Sequence, residues 1–324
     1  MNSLEKKIFS VKESNFEPLA LEIFDFQYNN CEIYRKYVDL INKKTPTSLD
    51  EIPFLPISFF KSHLVNTKNS FEVEFISSGT KNSIRSKHQV YKKSLYIKSF
   101  ETHYRKCIGN PEEHFIFALL PNYVEQGQSS LVYMVNHLIS LSNQRYSGFY
   151  MNDSSLLIDR IKEISSTEKK IILFGVSYAL LDLAIKKPDF SKVFIIETGG
   201  MKGRRKEMSK SALHSFLKKH FQTKCIASEY GMTEILSQSY SFEDEFFISP
   251  PWKRVLIRDV NDPFHFLEER KTGAINVIDL ANLYSCSFIE TEDLGKKIND
   301  KFQVLGRMDS SELRGCNLLY FDKL

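Results

Sequence analysis

The sequence predicts an α/β fold in which strands of a mostly parallel sheet alternate with helices. Short runs of β-branched and aromatic residues recur along the chain, and several are separated by apolar residues three or four positions apart. The chain has 324 residues, 42% of them hydrophobic, which is enough for one large domain with at most a small appendage. From about residue 250 the strands follow one another without helices, which predicts an antiparallel-rich sheet there.

The predicted elements begin with a helical N-terminal region. Between residues 15 and 45 apolar side chains recur at helical spacing, and Pro46, Pro53 and Pro56 end this pattern. Strands are then predicted at residues 71–76, 115–120, 170–174, 193–197, 225–228, 255–259, 274–279 and 287–289. Helices are predicted between them at residues 131–142, 156–164, 178–186 and 206–220.

Charge and cysteine content exclude several classes of protein. The net charge of +4 is too small to indicate a nucleic-acid partner. The five cysteines are odd in number and form no CxxC pair, which argues against a disulfide framework or a zinc site and for the cytoplasm. The N-terminus carries charges where a signal peptide needs an apolar run, and no apolar stretch is long enough to span a membrane.

Polar motifs follow several of the predicted strands. The run from Ser77 through Ser78 and Gly79 to Thr80 follows the first strand. Backbone N–H groups and small hydroxyls of such a loop can close around phosphate oxygens, although a Ser/Gly/Thr turn is common at any strand end. Another strand ends at the pair Gly199-Gly200, where close approach to a flat ligand or a tight turn is possible.

The third motif runs from Ser228 to Glu234. Tyr230 precedes Gly231, so that its ring can lie against a base, and Glu234 can bind Mg²⁺ beside a phosphate contact from Thr233. The alternative is a loop with a helix N-cap at Thr233.

Two motifs near the C-terminus complete the series. Asp293 can hydrogen-bond ribose hydroxyls, although Asp and Gly also favour a hairpin turn. Arg307 suits phosphate or carboxylate contacts.

In this order the motifs resemble those of adenylate-forming enzymes. Within that superfamily the chain most resembles the acyl-protein synthetases, the fatty-acid-activating component of the bacterial luciferase fatty-acid reductase. The resemblance spans roughly residues 50 to 318, and its main stretches are SSGT, ALLPNYVEQGQSSLVYM, ETGGMKGRR, SEYGMTEILSQ, PPWKRVLIRD, INVIDLAN and LGR.

The resemblance implies ATP- and Mg²⁺-dependent conversion of a carboxylic acid, expected to be a fatty acid, to an acyl-adenylate. The acyl group then passes to a thiol on a protein, a carrier or coenzyme A, with an acyl-processing protein as a possible partner. It implies nucleotide binding by Ser77, Ser78, Gly79, Thr80, Gly199, Gly200, Glu229, Tyr230, Gly231, Thr233, Asp293 and Arg307. Catalysis is implied for Thr233, Glu234, Arg307 and Cys316, with Glu234 as the metal ligand, Asp309 as a hinge and Cys316 as the acyl acceptor.

The resemblance also divides the chain and shows where it departs from the family pattern. We expect a helical region at residues 1–60, an adenylate-forming core at 61–305 with mixed sheets and flanking helices, and a truncated C-terminal subdomain at 306–324. The phosphate loop ends in Lys87-His88 instead of Pro-Lys, and Glu292 replaces the Gly of the ribose motif.

Three other functions remain open from the sequence. The chain can instead be an aryl or fatty acyl–coenzyme A ligase, or a non-catalytic subunit that binds acyl groups or nucleotides. A third alternative is a serine hydrolase, because Gly175-x-Ser177-x-Ala179 follows a strand as a nucleophile elbow does, with His214, His220 or His265 as its base.

Overall fold

The computed structural model describes residues 3–78, 84–121, 128–142, 144–199, 208–242 and 244–308. Its helices are α1 (Ser3–Phe9), α2 (Phe16–Asn30), α3 (Glu32–Leu40), α4 (Phe59–Ser62), α5 (Lys93–Cys107), α6 (Ser130–Ser142), α7 (Ser154–Glu163), α8 (Ser177–Ala184) and α9 (Lys210–Phe221). Its strands up to Tyr230 are β1 (Leu55–Pro56), β2 (Val73–Ile76), β3 (Lys87–Val90), β4 (His114–Leu119), β5 (Gly148–Phe149), β6 (Lys170–Val176), β7 (Val193–Thr198) and β8 (Ile226–Tyr230). The later strands are β9 (Ser239–Ser241), β10 (Phe247–Ile248), β11 (Lys253–Arg258), β12 (Thr272–Asp279), β13 (Phe288–Ile298) and β14 (Lys301–Arg307).

The predicted α/β class is confirmed. Each predicted strand and helix overlaps an observed one, and the N-terminal residues are mostly helical. The structure adds the long helix α5 and extends the last predicted strand into β13, which continues to Ile298.

The chain forms two compact units. The first unit comprises Met1–Ser99, Thr233–Ser237 and Ile248–Leu324, and the second comprises Phe100–Met232 and Gln238–Phe247.

The second unit contains the parallel sheet. Its strands pair in the order β5, β4, β6, β7 and β8, all parallel, and β9 joins β8 antiparallel. Six of the seven residues of β6 are buried in succession, as expected for a parallel strand covered on both faces. The helices α6, α8 and α9 pack against these strands.

The first unit contains the predicted antiparallel sheet. Strands β11, β12, β13 and β14 pair antiparallel in chain order, and β1 adds to β13 in parallel. Strands β2 and β3 form a separate antiparallel pair. The helices α2 and α3 supply aromatic side chains to the core of this unit, where Phe24 and Tyr34 pack on Phe288 of β13.

None of the helices in the described part of the chain combines the length and apolar character that crossing a bilayer requires.

Candidate active site

In the first unit, the base of the predicted phosphate loop is closed by two hydrogen bonds. Ser77 donates its N–H to the Ser86 carbonyl oxygen at 3.0 Å. Its hydroxyl accepts from the Ser86 N–H at 2.9 Å. Ser77 is half-buried and Ser78 is exposed, whereas Gly79 and Thr80 lie outside the described residues. The pairing of β2 with β3 therefore fixes where this loop leaves and rejoins the fold.

Thr233 and Glu234 form a turn in the first unit, not the start of a helix. The alternative of a helix N-cap at Thr233 is therefore wrong. The Thr233 carbonyl oxygen lies 2.8 Å from His88 Nδ1, and Asn282 Nδ2 donates to the Glu234 carbonyl oxygen at 2.7 Å. Side chains from distant parts of the chain thus hold the backbone of this turn.

The Glu234 carboxyl group is buried in a mixed polar environment. Burial raises its pKa, and this effect outweighs the opposing influences of the Ser86 hydroxyl and of the positive charges of Arg307 and Lys61. The Glu234 side chain thus lies in a buried position whose positive neighbours offset only part of the effect of burial on its pKa.

Asp293 and Arg307 face each other on β13 and β14. Their Cα atoms are register partners, and Arg307 Nε lies 3.6 Å from Asp293 Oδ1. The Arg307 side chain is 82% exposed, so its guanidinium is accessible to a ligand. Asp293 lies inside β13, which corrects the alternative of a hairpin turn at this motif.

The neighbouring Glu292 gives this edge of the first unit a further charge pair. Its Oε1 atom lies 3.8 Å from Lys61 Nζ, which reaches it from α4. Lys61 was not singled out from the sequence, because nothing in the local sequence indicates that it lies near Glu292.

In the second unit, Glu197 forms the centre of a buried polar cluster at the ends of β6, β7 and β8. Its Oε1 atom lies 2.5 Å from the Ser177 hydroxyl, and its Oε2 atom accepts from Ser228 at 3.0 Å. Burial acts to raise the pKa of Glu197, but His214, Lys210 and Ser177 together hold it below its usual value. Glu197 is thus a stable anion at neutral pH.

The Ser177 hydroxyl forms its hydrogen bonds within this cluster. It lies 2.7 Å from the Gly199 carbonyl oxygen as well as beside Glu197, and Ser177 is only 2% exposed. His214 Nε2 lies 3.0 Å from Ser228 Oγ, and not against Ser177. The described contacts of Ser177 therefore do not form the Ser-His arrangement of a hydrolase.

Tyr230 and Glu229 end β8 in the same unit. The Thr198 hydroxyl donates to Glu229 Oε2, and the Tyr230 ring packs on Phe247 with centroids 5.7 Å apart. A Cβ atom on Gly231 would lie 2.4 Å from Glu229 Oε1. Glycine at this position therefore allows the carboxylate to fold back against the chain.

Gly199 directly follows β7 and has a φ of 67°, a conformation that strongly favours glycine. Gly200, Asp309 and Cys316 lie outside the described residues. Within the described ranges there is no group of three or more His, Cys, Asp or Glu side chains arranged for a metal ion.

Sequence reasoning also missed His88, Asp279 and Asn282. His88 appeared only as a departure at the end of the phosphate loop, and the other two lie in the INVIDLAN stretch at residues 275–282. All three are buried polar residues of the first unit. Their partners are distant in sequence, so no local pattern indicated a role.

The overall fold is that of adenylate-forming enzymes. A structure of 2-hydroxyisobutyryl-CoA ligase in complex with 2-HIB-AMP and CoA aligns over 94% of this chain and 71% of its own, with a TM-score of 0.67 and 9% identity. ATP-bound MatB from Rhodopseudomonas palustris aligns over 74% of this chain, with a TM-score of 0.56 and 13% identity. The chain spans about half of MatB, 49% of its length.

The chain belongs to the LuxE acyl-protein synthetase family, which it matches over residues 8–324. It is 24% identical to the long-chain-fatty-acid–luciferin-component ligase of Aliivibrio fischeri, over 93% of this chain and 86% of that protein. It is therefore a ligase of the adenylate-forming class.

Proposed function

We propose that the protein uses ATP to activate a fatty acid and passes the acyl group to a thiol. The observation that carries this proposal is the Glu234 side chain of the first unit, which is 5% exposed and lies on a turn held by His88 and Asn282, with the positive charges of Arg307 and Lys61 acting on it. Such a carboxylate suits a divalent cation that also binds phosphate. Family membership supplies the reaction class.

The first half-reaction is attack by a carboxylate oxygen of the acid on the α-phosphorus of ATP. The bond to pyrophosphate breaks, and an acyl-adenylate forms. In the first unit we assign Ser77, Ser78, Gly79, Thr80 and Thr233 to the phosphates. Glu234 would hold Mg²⁺, which would neutralise phosphate charge.

Asp293 and Arg307 would bind the ribose and phosphate part of the nucleotide. The Asp293 side chain is 13% exposed and that of Arg307 is 82% exposed, so the carboxylate is held by the fold while the guanidinium is accessible. A guanidinium suits developing charge on phosphate oxygens, because it offers several N–H donors in a fixed plane.

In the second unit we assign Gly199, Gly200, Glu229, Tyr230 and Gly231 to the adenine base. The carboxylate of Glu229 is fixed by the Thr198 hydroxyl, and Tyr230 offers an aromatic ring. In the same unit Glu197 accepts hydrogen bonds from Ser177 and Ser228 and so links the neighbouring strands.

The second half-reaction is attack by a thiolate on the acyl carbonyl carbon. The thioester forms, and AMP leaves with the oxygen that the acid contributed. We assign the acceptor role to Cys316 and the hinge role to Asp309. The four free cysteines of the described residues and the use of ATP favour a cytoplasmic protein.

ATP–pyrophosphate exchange with a panel of fatty and aryl acids tests the first half-reaction. Wild type should catalyse acid-dependent exchange, and Glu234→Ala should lower its rate by about 100-fold or more, as loss of a charge-stabilising group does. Glu268→Ala is the matched control, because that carboxylate is 86% exposed. Equal rates in wild type and Glu234→Ala would refute the assignment of Glu234.

Cys316→Ser separates the two half-reactions. It should retain exchange, because pyrophosphate release precedes thiol attack, and it should lose the covalent acyl-protein. Formation of acyl-coenzyme A by wild type, without any acyl-protein, would instead identify the coenzyme A ligase alternative.

A further inference from the structure

The turn that carries Thr233 and Glu234 is held by buried side chains instead of by a helix or a sheet. Residues 233–238 have no regular secondary structure, and all of them except Thr233 are buried, so their backbone groups need partners. Asp279 Oδ2 accepts from the N–H groups of Leu236 and Ser237 at 2.9 and 2.8 Å. Asn282 accepts from Leu236 N–H and donates to the Glu234 carbonyl oxygen.

His88 holds the other end of this turn. Its Nδ1 atom lies 2.8 Å from the Thr233 carbonyl oxygen, and its Nε2 atom lies 2.9 Å from Ser285 Oγ. Because a carbonyl oxygen can only accept, Nδ1 must carry the proton. In the neutral ring, Nε2 then accepts from the Ser285 hydroxyl.

The surroundings of His88 keep the imidazole neutral. Burial lowers the pKa of His88 to about 4, and the ring is 1% exposed and packs edge-on against Phe60. His88 therefore has one tautomer and one orientation, both set by its neighbours.

We propose that His88 is a positioning residue for adenylation. By donating from Nδ1 to the Thr233 carbonyl oxygen, it fixes the turn that directs the Thr233 and Glu234 side chains toward phosphate and Mg²⁺. The proposal deepens the proposed function and rests on it. Productive geometry at such a site tolerates only about 0.5 Å of displacement, so loss of this bond should weaken the use of Mg²⁺ more than it weakens the fold.

Two replacements of similar chemistry distinguish positioning from packing. The amide nitrogen of Asn stands at the position of Nδ1 and can still donate to the Thr233 carbonyl oxygen. The amide nitrogen of Gln stands farther out, near Nε2, but Gln fills more of the space of the ring. If His88 acts by packing, His88→Gln should have the Mg²⁺ requirement closer to that of the wild type. If His88 acts by positioning the turn, His88→Asn should have the Mg²⁺ requirement closer to that of the wild type.

The experiment measures the Mg²⁺ concentration for half-maximal ATP–pyrophosphate exchange in wild type, His88→Asn, His88→Gln and the control Ser285→Ala. We expect at least a tenfold rise for His88→Gln, and less than threefold for His88→Asn and Ser285→Ala. The dissociation constant of Mg·ATP, measured by calorimetry without acid, should change in the same order. The KM for the acid should not change.

Trp252 supplies a second readout that does not depend on turnover. It is the only tryptophan of the chain, and its Nε1 donates to Ser237 Oγ at 2.9 Å, at the end of the same turn. Its emission should shift in His88→Gln and stay near that of wild type in His88→Asn. Equal effects of Asn and Gln, or Gln closer to wild type than Asn, would overturn the proposal. Absence of exchange and of Mg·ATP binding in wild type would instead overturn the proposed function.

Discussion

Removal of the Asp279 carboxylate should unfold the first unit at markedly lower denaturant concentration. The side chain is fully buried and accepts four hydrogen bonds, from Leu236 N, Ser237 N, Ser237 Oγ and Ala281 N. Lys253 is 3% exposed and its charge acts on Asp279. Asp279→Ala would therefore leave buried donors without their acceptor and would remove a negative charge near Lys253, whose Nζ donates to the Ser237 carbonyl oxygen at 2.8 Å.

The expected cost follows from these contacts. Each buried donor left without a partner costs about 1–3 kcal/mol, and a buried cation that loses a nearby opposite charge adds to this cost. These costs are not additive, because a single rearrangement of the site, or a single entering water molecule, relieves several of the unpaired groups together. We therefore expect Asp279→Ala to lose about 4 kcal/mol of unfolding free energy.

Asp279→Asn should cost less, about 1–2 kcal/mol. Its carbonyl oxygen can still accept from the Leu236 and Ser237 N–H groups, and its amide can donate to the Ser237 hydroxyl. The Ala281 N–H, at 3.1 Å in the wild type, would lose its acceptor, and the Ser237 hydroxyl would have to donate to Ser99 Oγ, 2.9 Å away, instead.

Urea unfolding followed by Trp252 fluorescence measures this effect, because the only tryptophan lies in the first unit. Far-UV circular dichroism checks that the transition reports unfolding and not a local change at Trp252. Asp25→Ala, at an exposed position of α2, is the control and should change the free energy by no more than about 0.5 kcal/mol. A loss below 1 kcal/mol for Asp279→Ala would refute the reasoning about this network.

Three further substitutions test individual residues. Glu234→Gln should abolish exchange yet stabilise the protein: burial raises the pKa of Glu234, so its ionisation costs stability as pH rises above the unfolded-state pKa of about 4.3. The gain in denaturation midpoint over wild type should therefore grow as pH rises above about 4.3 and level off once Glu234 is ionised in the folded protein, and a gain that does not change with pH would contradict this explanation. Gly231→Ala should lower the free energy of unfolding by about 1–3 kcal/mol and weaken ATP binding, because the new Cβ would lie 2.4 Å from Glu229 Oε1. The control Gly148→Ala, whose new Cβ has its nearest contact at 3.7 Å, should be tolerated. Equal stability and ATP binding of the two variants would contradict the close fit at Gly231. Ser177→Ala should retain an ATP–pyrophosphate exchange rate within about tenfold of the wild-type rate, since Ser177 hydrogen-bonds Glu197 and is not a nucleophile. Loss of both an esterase activity and the exchange activity in this variant would support the hydrolase alternative.

The strand pattern was readable from the sequence because parallel strands are buried on both faces. Runs such as residues 170–174 are continuously apolar, and glycines or polar residues mark their ends. Helix α5 was not predicted. Its buried positions alternate apolar residues such as Leu95 and Phe100 with Ser99 and His103, which are 0% and 2% exposed. Two buried polar residues interrupt the apolar stripe that would otherwise indicate a helix.

The motifs of the candidate site were likewise readable, because strand ends carry characteristic small and charged residues. The contacts that hold these motifs in place could not be predicted from the sequence. His88 and Thr233 are separated by 145 residues, and Lys61 comes within 3.8 Å of Glu292 only in the folded chain. A buried histidine in a sequence has many possible partners, and only the fold selects the carbonyl oxygen of Thr233.

The most direct test of adenylation follows an oxygen atom of the acid. The enzyme is incubated with ATP, Mg²⁺, a thiol acceptor and a fatty acid labelled with ¹⁸O in its carboxylate, and the products are analysed by mass spectrometry. Attack on the α-phosphorus predicts one ¹⁸O atom in AMP. Label in inorganic phosphate, as an acyl phosphate would give, or thioester formation without label in AMP, would contradict the proposed function.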